Sequence, residues 1–167
     1  EINNMAVTTQ NSTEYAATIA TPLVKASARS NTGKLRTLAF SFNQDGVGDA
    51  GSIIVLGKLP AGRVKIIGGL SRFYCNIVAG SATIDIGNQA YVNTSGVTVA
   101  EDVDSMVDGL DVDAVGYQTM EGNTAATKLL GGNHSFDSND GVVIQITSVA
   151  ALANDDDVDG VITYIVS

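Results

Sequence analysis

Ser52-Ile53-Ile54-Val55-Leu56-Gly57 opens the stretch whose reading decides the fold, which continues through Leu59-Pro60-Ala61-Gly62 to Ser81-Ala82-Thr83-Ile84-Asp85-Ile86-Gly87. The first six residues are a short apolar run bounded by turn residues, the pattern of a strand buried on both faces. Past the Leu59–Gly62 break, Val64 and Ile66 alternate with Arg63 and Lys65, so a second strand has one apolar and one charged face. Gly68-Gly69 permits a bulge or bend. The alternation then resumes, with Ser71, Phe73, Cys75, Ile77 and Ala79 on one side. Gly80-Ser81 has the composition of a two-residue hairpin turn. That turn predicts Ala79 opposite Ala82, Ile77 opposite Ile84 and Cys75 opposite Ile86 on an apolar face, with Val78 and Thr83, and Asn76 and Asp85, on the other. A slip of one residue would carry Asp85 into the core, so the pattern selects its own register.

Outward from this centre, Leu35 to Phe42 reads as a strand with Leu38, Phe40 and Phe42 on one face. Near the other end, Val142, Ile144 and Ile146 alternate with Val143, Gln145 and Thr147. After an Asp-rich loop, Ile162, Tyr164 and Val166 alternate with Val161, Thr163 and Ile165. These are expected to be two antiparallel strands. Val115 to Met120 and Thr127 to Leu130 are candidates for short strands. Asp102 to Val112 has a helical spacing, with Val103, Met106, Val107 and Leu110 at i, i+3, i+4 and i+7, which predicts one or two helical turns. Residues 1–34 are rich in Asn, Thr, Ser and Ala and contain Pro22. Tyr15 and Ile19 could start a helical turn, but the polar run from Ser27 to Gly33 favours an extended arm. The fold expected is all-β: an antiparallel sandwich or jelly roll over residues 35–167, an extended N-terminal arm over residues 1–34, and at most one short helix.

The 167 residues suit one domain with a full core, and the apolar runs are far shorter than the ~20 residues that span a bilayer. No membrane partner is expected. Cys75 is the one cysteine, so no intramolecular disulfide can form, and its place on the apolar face marks it as a small buried hydrophobe. The net charge of −9 is divided along the chain: residues 1–72 hold eight basic and four acidic residues, +4, whereas residues 73–167 hold Lys128 against fourteen acids, −13. Such a division suggests a basic segment that lies on something acidic.

No arrangement of residues points to catalysis. Asn43 to Gly51 carries three glycines and two aspartates, but it lacks the Lys-Ser/Thr of a phosphate-binding P-loop and leads into a strand. Asp155-Asp156-Asp157-Val158-Asp159-Gly160 matches the first half of a calcium-binding EF-hand loop, yet Val166 stands where the bidentate Glu belongs. A solvated acidic hairpin loop is the plainer reading, as it is for Asp137 to Gly141. His134, the single histidine, reads as a loop residue with no nucleophile or zinc set to complete. No catalytic residue, metal ligand or cofactor is expected. The absence of Trp and an aromatic content of 5% weaken a stacking platform for sugars or bases. Lys25, Arg29, Lys34 and Arg36 could touch nucleic acid, but the acidic body would be repelled by phosphates.

Ile53-Ile54-Val55-Leu56-Gly57-Lys58-Leu59-Pro60-Ala61-Gly62-Arg63-Val64, then Gly68-Gly69, then Ser81-Ala82-Thr83-Ile84-Asp85-Ile86-Gly87 resembles the decoration, or cement, proteins on the outside of tailed-bacteriophage capsids. The shared features are an apolar strand, a Leu-Pro-x-Gly turn and a Thr-x-Asp-x-Gly hairpin end, in that order. What the resemblance implies is a β-rich, non-enzymatic virion protein on the outer capsid surface, a homotrimer or other homo-oligomer whose partner is the major capsid protein. The arm would reach across neighbouring capsomers, with Lys25, Arg29, Lys34 and Arg36 as capsid contacts. A receptor- or glycan-binding module of a fibre or adhesin is the alternative.

Overall fold

Strands with one apolar face need a second layer to bury it, and in this chain two sheets do so for each other. The computed structural model describes residues 7–12, 15–16, 19–21, 35–77, 82–121 and 133–166. Sheet one runs, in spatial order, β1 (Thr9–Asn11), β3 (Ile53–Leu59), β12 (Val142–Ser148), β6 (Thr83–Asn88) and β9 (Asp102–Asp111). In sheet two, β13 (Asp157–Val166) is central and pairs along one side with β2 (Leu35–Asn43). Its other side is shared by β4 (Gly62–Ile66) and β5 (Arg72–Asn76), beyond which lie β11 (Ser135–Ser138) and β10 (Gly116–Thr119) respectively. A small hairpin joins β7 (Tyr91–Val92) to β8 (Thr98–Val99). All these pairings are antiparallel except β1 with β3. The chain changes sheet between β1 and β2, β2 and β3, β3 and β4, β5 and β6, β9 and β10, β11 and β12, and β12 and β13, the connectivity of a jelly-roll-like sandwich.

The core lies between the sheets. Ile54, Leu56, Ile84, Ile86, Ile144 and Ile146 from one meet Phe40, Phe42, Phe73, Val158 and Ile162 from the other, all buried. Cys75 is fully buried, and burial pushes its thiol up to about 12, with the Asp157 charge adding to the shift. The split of one side of β13 between two strands would leave a gap opposite Thr163. The 3-10 turn Gly68–Leu70 fills it. Ser71 Oγ accepts from the Thr163 N–H at 2.9 Å and donates to the Ile67 carbonyl at 3.0 Å, while the Ile67 N–H donates to the Thr163 carbonyl at 2.8 Å. Gly68-Gly69 therefore acts as a bend that returns the chain to the same side of β13, with the N–H and the carbonyl of Thr163 both paired.

The strand faces agree with the alternation, but several partners do not. Ile77, Ala82, Ile84, Ile86 and Cys75 are all buried, whereas β5 and β6 belong to different sheets and do not pair. The Gly80-Ser81 turn, with Val78 and Ala79, lies outside the described residues. Alternation fixes which face is buried, and a sandwich satisfies that face from across the core as well as a hairpin does. The same correction holds for β12 and β13, which lie in opposite sheets. Asp157 to Gly160 belong to β13 and not to a solvated loop, and Asp137 and Ser138 belong to β11. Gly116–Thr119 forms a strand within the Val115–Met120 segment, while Thr127 to Leu130 falls outside the described residues.

The helix expected over Asp102 to Val112 is the strand β9. Between the pairs Ile84–Leu110 and Ile86–Val107, β9 carries one residue more than β6; between Ile86–Val107 and Asn88–Asp102 it carries three more. Each bulge changes which residues face inward, so a strand acquires apolar spacings of three and four. Gly109, at φ +61°, supplies the left-handed backbone at the first bulge.

Candidate functional site

Residues Thr8–Ser12 are fastened to the sandwich. Residues Thr9–Asn11 add a parallel strand beside Ile53–Val55, the Ile53 N–H donates to the Thr8 carbonyl at 2.8 Å, and the Ser12 N–H donates to the Val55 carbonyl at 2.7 Å. Ser12 is fully buried. Its hydroxyl donates to the Leu56 carbonyl at 2.6 Å and accepts the Tyr15 N–H at 3.2 Å, so it caps a helical turn in which Tyr15, Ala16 and Ile19 are helical. Of the segment expected to be extended, Thr9–Asn11 form a strand and Tyr15, Ala16 and Ile19 are helical, while most of it lies outside the described residues. Thr9 and Asn11 are exposed, and the attachment combines this backbone ladder with side-chain hydrogen bonds of Thr8 to Ser52 and of Gln10 to the Asp45 backbone.

Of the four cations expected to contact a capsid, Lys25, Arg29 and Lys34 lie outside the described residues. Arg36 stands in β2 opposite Tyr164 of β13, half-buried at the rim of the core-facing side. Burial raises the Tyr164 phenol, and the charge and hydrogen bond of Arg36 pull it back down. The Arg36 Nε is itself buried without a hydrogen-bond partner among the described residues.

The acidic half of the sequence becomes an acidic border. Asp102, Asp104, Asp108 and Asp111 are exposed on β9, the last strand of sheet one, with Asp113 just beyond and Asp85 beside them on β6. Burial holds Asp85 above the usual carboxylate range, with Asp108 and Asp104 adding to it, although the Gly109 N–H donates to its Oδ1 at 2.7 Å. The neighbouring Asp104 carboxyl, together with burial, raises Asp102 above its ordinary value. β9 is the last strand of sheet one among the described residues, and like charges along such a strand discourage pairing with another chain. His134 precedes β11, half-buried, with its ring 4.5 Å from that of Phe136. Burial lowers its pKa, against the pull of the Asp102 charge and a bond to the Ser105 backbone. No group of three or more His, Cys, Asp or Glu among the described residues is arranged to hold a metal ion.

Above Gly87 the start of β9 folds over the outside of sheet one. A Cβ on Gly87 would lie 2.0 Å from the Asp102 carbonyl oxygen, so only glycine permits the crossing. Gln145, the cross-strand neighbour of Gly87, is fully buried although it faces outward, and its Nε2 donates to Glu101 Oε1 at 2.7 Å. On the outside of sheet two, Tyr74 and Tyr117 stack edge to face, their centroids 5.4 Å apart, beside Arg72 and Asp159. No local sequence pattern marks this meeting, since the two tyrosines are brought together only by the pairing of β5 with β10.

Together these features define an all-β, jelly-roll-like sandwich to which Thr8–Ser12 are fastened. No family model matches the chain, and no curated protein matches its sequence. Among solved structures, its fold is similar to that of a chain in the capsid of Ralstonia phage GP4, with a TM-score of 0.61 and 15% identity, covering 95% of this chain and 97% of that one. A weaker likeness, with a TM-score of 0.43 and 12% identity, is to the VP2 subviral particle of infectious bursal disease virus, covering 82% of this chain and 33% of that one. At these identities the likeness concerns the fold.

Proposed function

We propose that this chain is a structural virion protein that binds the outer surface of a phage capsid and stabilises the shell, anchored by its N-terminal arm. The observation that carries the reading is the likeness to the phage GP4 capsid chain, which spans nearly the whole of both chains and so concerns a complete sandwich of the same size. The resemblance of residues 53–87 to capsid decoration proteins supports it independently, because that resemblance rests on sequence motifs and not on the fold. The tether at Thr8 to Ser12 gives the arm a fixed point of departure on the body. From there Lys25, Arg29, Lys34 and Arg36 contact the major capsid protein, and several copies, as a homotrimer or other homo-oligomer, bind neighbouring capsomers together.

Co-sedimentation of the purified chain with phage capsids that lack it tests the proposal. Saturable retention at a fixed number of copies per shell is the expected result. A chain that stays in the supernatant at all salt concentrations contradicts it.

A further inference from the structure

The outer face of sheet two carries a built feature that anchoring by the arm leaves unused. Two cross-strand rows compose it. In the first, Tyr117 of β10 stands opposite Tyr74 of β5, Tyr74 opposite Asp159 of β13, and Asp159 opposite Ser41 of β2. In the second, Arg72 lies between Thr119 and Val161. Between the rows is an open cleft of about 510 Å³ lined by Arg72, Tyr74, Tyr117, Asp159 and Val161. That size falls in the usual range for small-molecule sites, roughly 300–1,000 Å³.

Three properties of the cleft restrict what it can take. Tyr117 is 84% exposed, and the edge-to-face contact with Tyr74 holds its ring in place, so a flat apolar surface is presented at little entropic cost on binding. Arg72 offers donors only and Asp159 acceptors only, and the two make no ion pair with each other. A ligand must therefore bring both acceptors and donors. An anion would face Asp159 and a cation would face Arg72, which leaves a neutral ligand. Finally, the next row along the strands, Asn76–Asp157–Asn43, continues the polar groups, with Asn76 Nδ2 donating to Asp157 Oδ1 at 3.3 Å. Rows on one face of a sheet repeat at about 7 Å, so the polar groups extend past a single ring.

A molecule with an apolar ring face, a rim of hydroxyls that both donate and accept, no charge and more than one unit is a neutral oligosaccharide. We propose that the Tyr74–Tyr117 cleft on sheet two binds one, with a sugar ring laid on Tyr117 and its hydroxyls shared between Arg72 and Asp159. This function is separate from capsid attachment and does not depend on it.

The test is a titration of the full chain with maltotetraose, cellotetraose and the tetramer of N-acetylglucosamine, followed by calorimetry and by tyrosine emission, which no Trp obscures in this chain. Saturable binding of at least one sugar is expected, weakened about tenfold by Tyr117→Ala, as for loss of a hot-spot aromatic. Tyr117→Phe should retain binding, Asp159→Asn should weaken it about fivefold by replacing one acceptor oxygen with a donor amide, and all three variants should melt with the wild type. Three flat titrations overturn the proposal, as does binding that Tyr117→Ala leaves untouched. If Tyr117→Ala instead releases the chain from capsids while no sugar binds, the cleft is a protein contact and the assignment is wrong.

Discussion

Strand β6 has two neighbours, and they obey different rules. Beside β12 it pairs residue for residue, from Ile144–Asn88 to Ser148–Ile84 without a break. Beside β9 the pairing skips twice, and β9 carries four residues more than β6 over the same span. The regular side buries Ile144 and Ile146 by simple alternation, whereas the irregular side buries the adjacent Met106 and Val107 and sends Glu101 to Val103 over the sheet. A regular ladder sets its own geometry; a bulged one depends on particular residues, here Gly87 and Gly109, that let the backbone depart from it.

The largest effect should separate the two faces of β6 itself. Ile84 is fully buried in the core and Thr83 is half-exposed on the outside. Ile84→Asp places an unpaired charge among apolar side chains and should cost about 3–5 kcal/mol, while Thr83→Asp should cost under about 1 kcal/mol. Equal losses of melting temperature would show that the faces are misassigned. On the bulged side, Gly87→Ala drives a methyl into the Asp102 carbonyl and should cost about 2–3 kcal/mol by displacing the segment that covers Gln145. Faster amide exchange at Glu101 to Val103 is the accompanying sign. A variant with wild-type stability and exchange would mean that the crossing is not held against Gly87.

The smallest effect is electrostatic. Asp85 is held above its ordinary 3.8 by burial, and by Asp108 and Asp104, so the folded state binds its proton more tightly than the unfolded chain does. Its contribution to stability is therefore present below that pKa and declines as pH rises through the folded value. Asp85→Asn keeps an oxygen for the Gly109 N–H and removes the charge. It should raise the melting temperature at neutral pH by about 2 °C after allowance for solvent screening, with no gain at pH 3. His134 titrates in the opposite sense, because burial lowers it below 6.5 and stability is lost as pH falls through that value and toward the folded one. A loss at neutral pH on Asp85→Asn would show that the carboxylate's bond to Gly109 outweighs repulsion from its neighbours.

The contrast between β12 and β9 also explains what could be read from the chain. The buried faces of β2 to β6 and β12 were legible, down to the burial of Cys75, because an unbroken period of two survives in the sequence. Partners were not, since an apolar face is satisfied equally by a hairpin neighbour or by the opposite sheet. In β9 the bulges rewrote the spacing as helical. β11 has four residues and one buried apolar side chain, Phe136, which is too few to show any period. β1 is held by hydrogen bonds of its backbone and of the polar side chains Thr8, Gln10 and Ser12, so no apolar pattern marks it. Of the proposed capsid contacts, the sequence supplied the charges and the structure supplied the tether and the position of Arg36. The tyrosine cleft had no local signal at all.

The proposed role is tested most directly by the rupture temperature of phage capsids, measured with and without saturating amounts of the chain. The account predicts that decorated shells rupture at a higher temperature, and that changing Lys25, Arg29, Lys34 and Arg36 together to Glu abolishes both retention and the rise, most clearly at low salt, where screening is weakest. Full retention of that variant with an undiminished rise, or shells fully occupied by the wild type that rupture at the undecorated temperature, would contradict it.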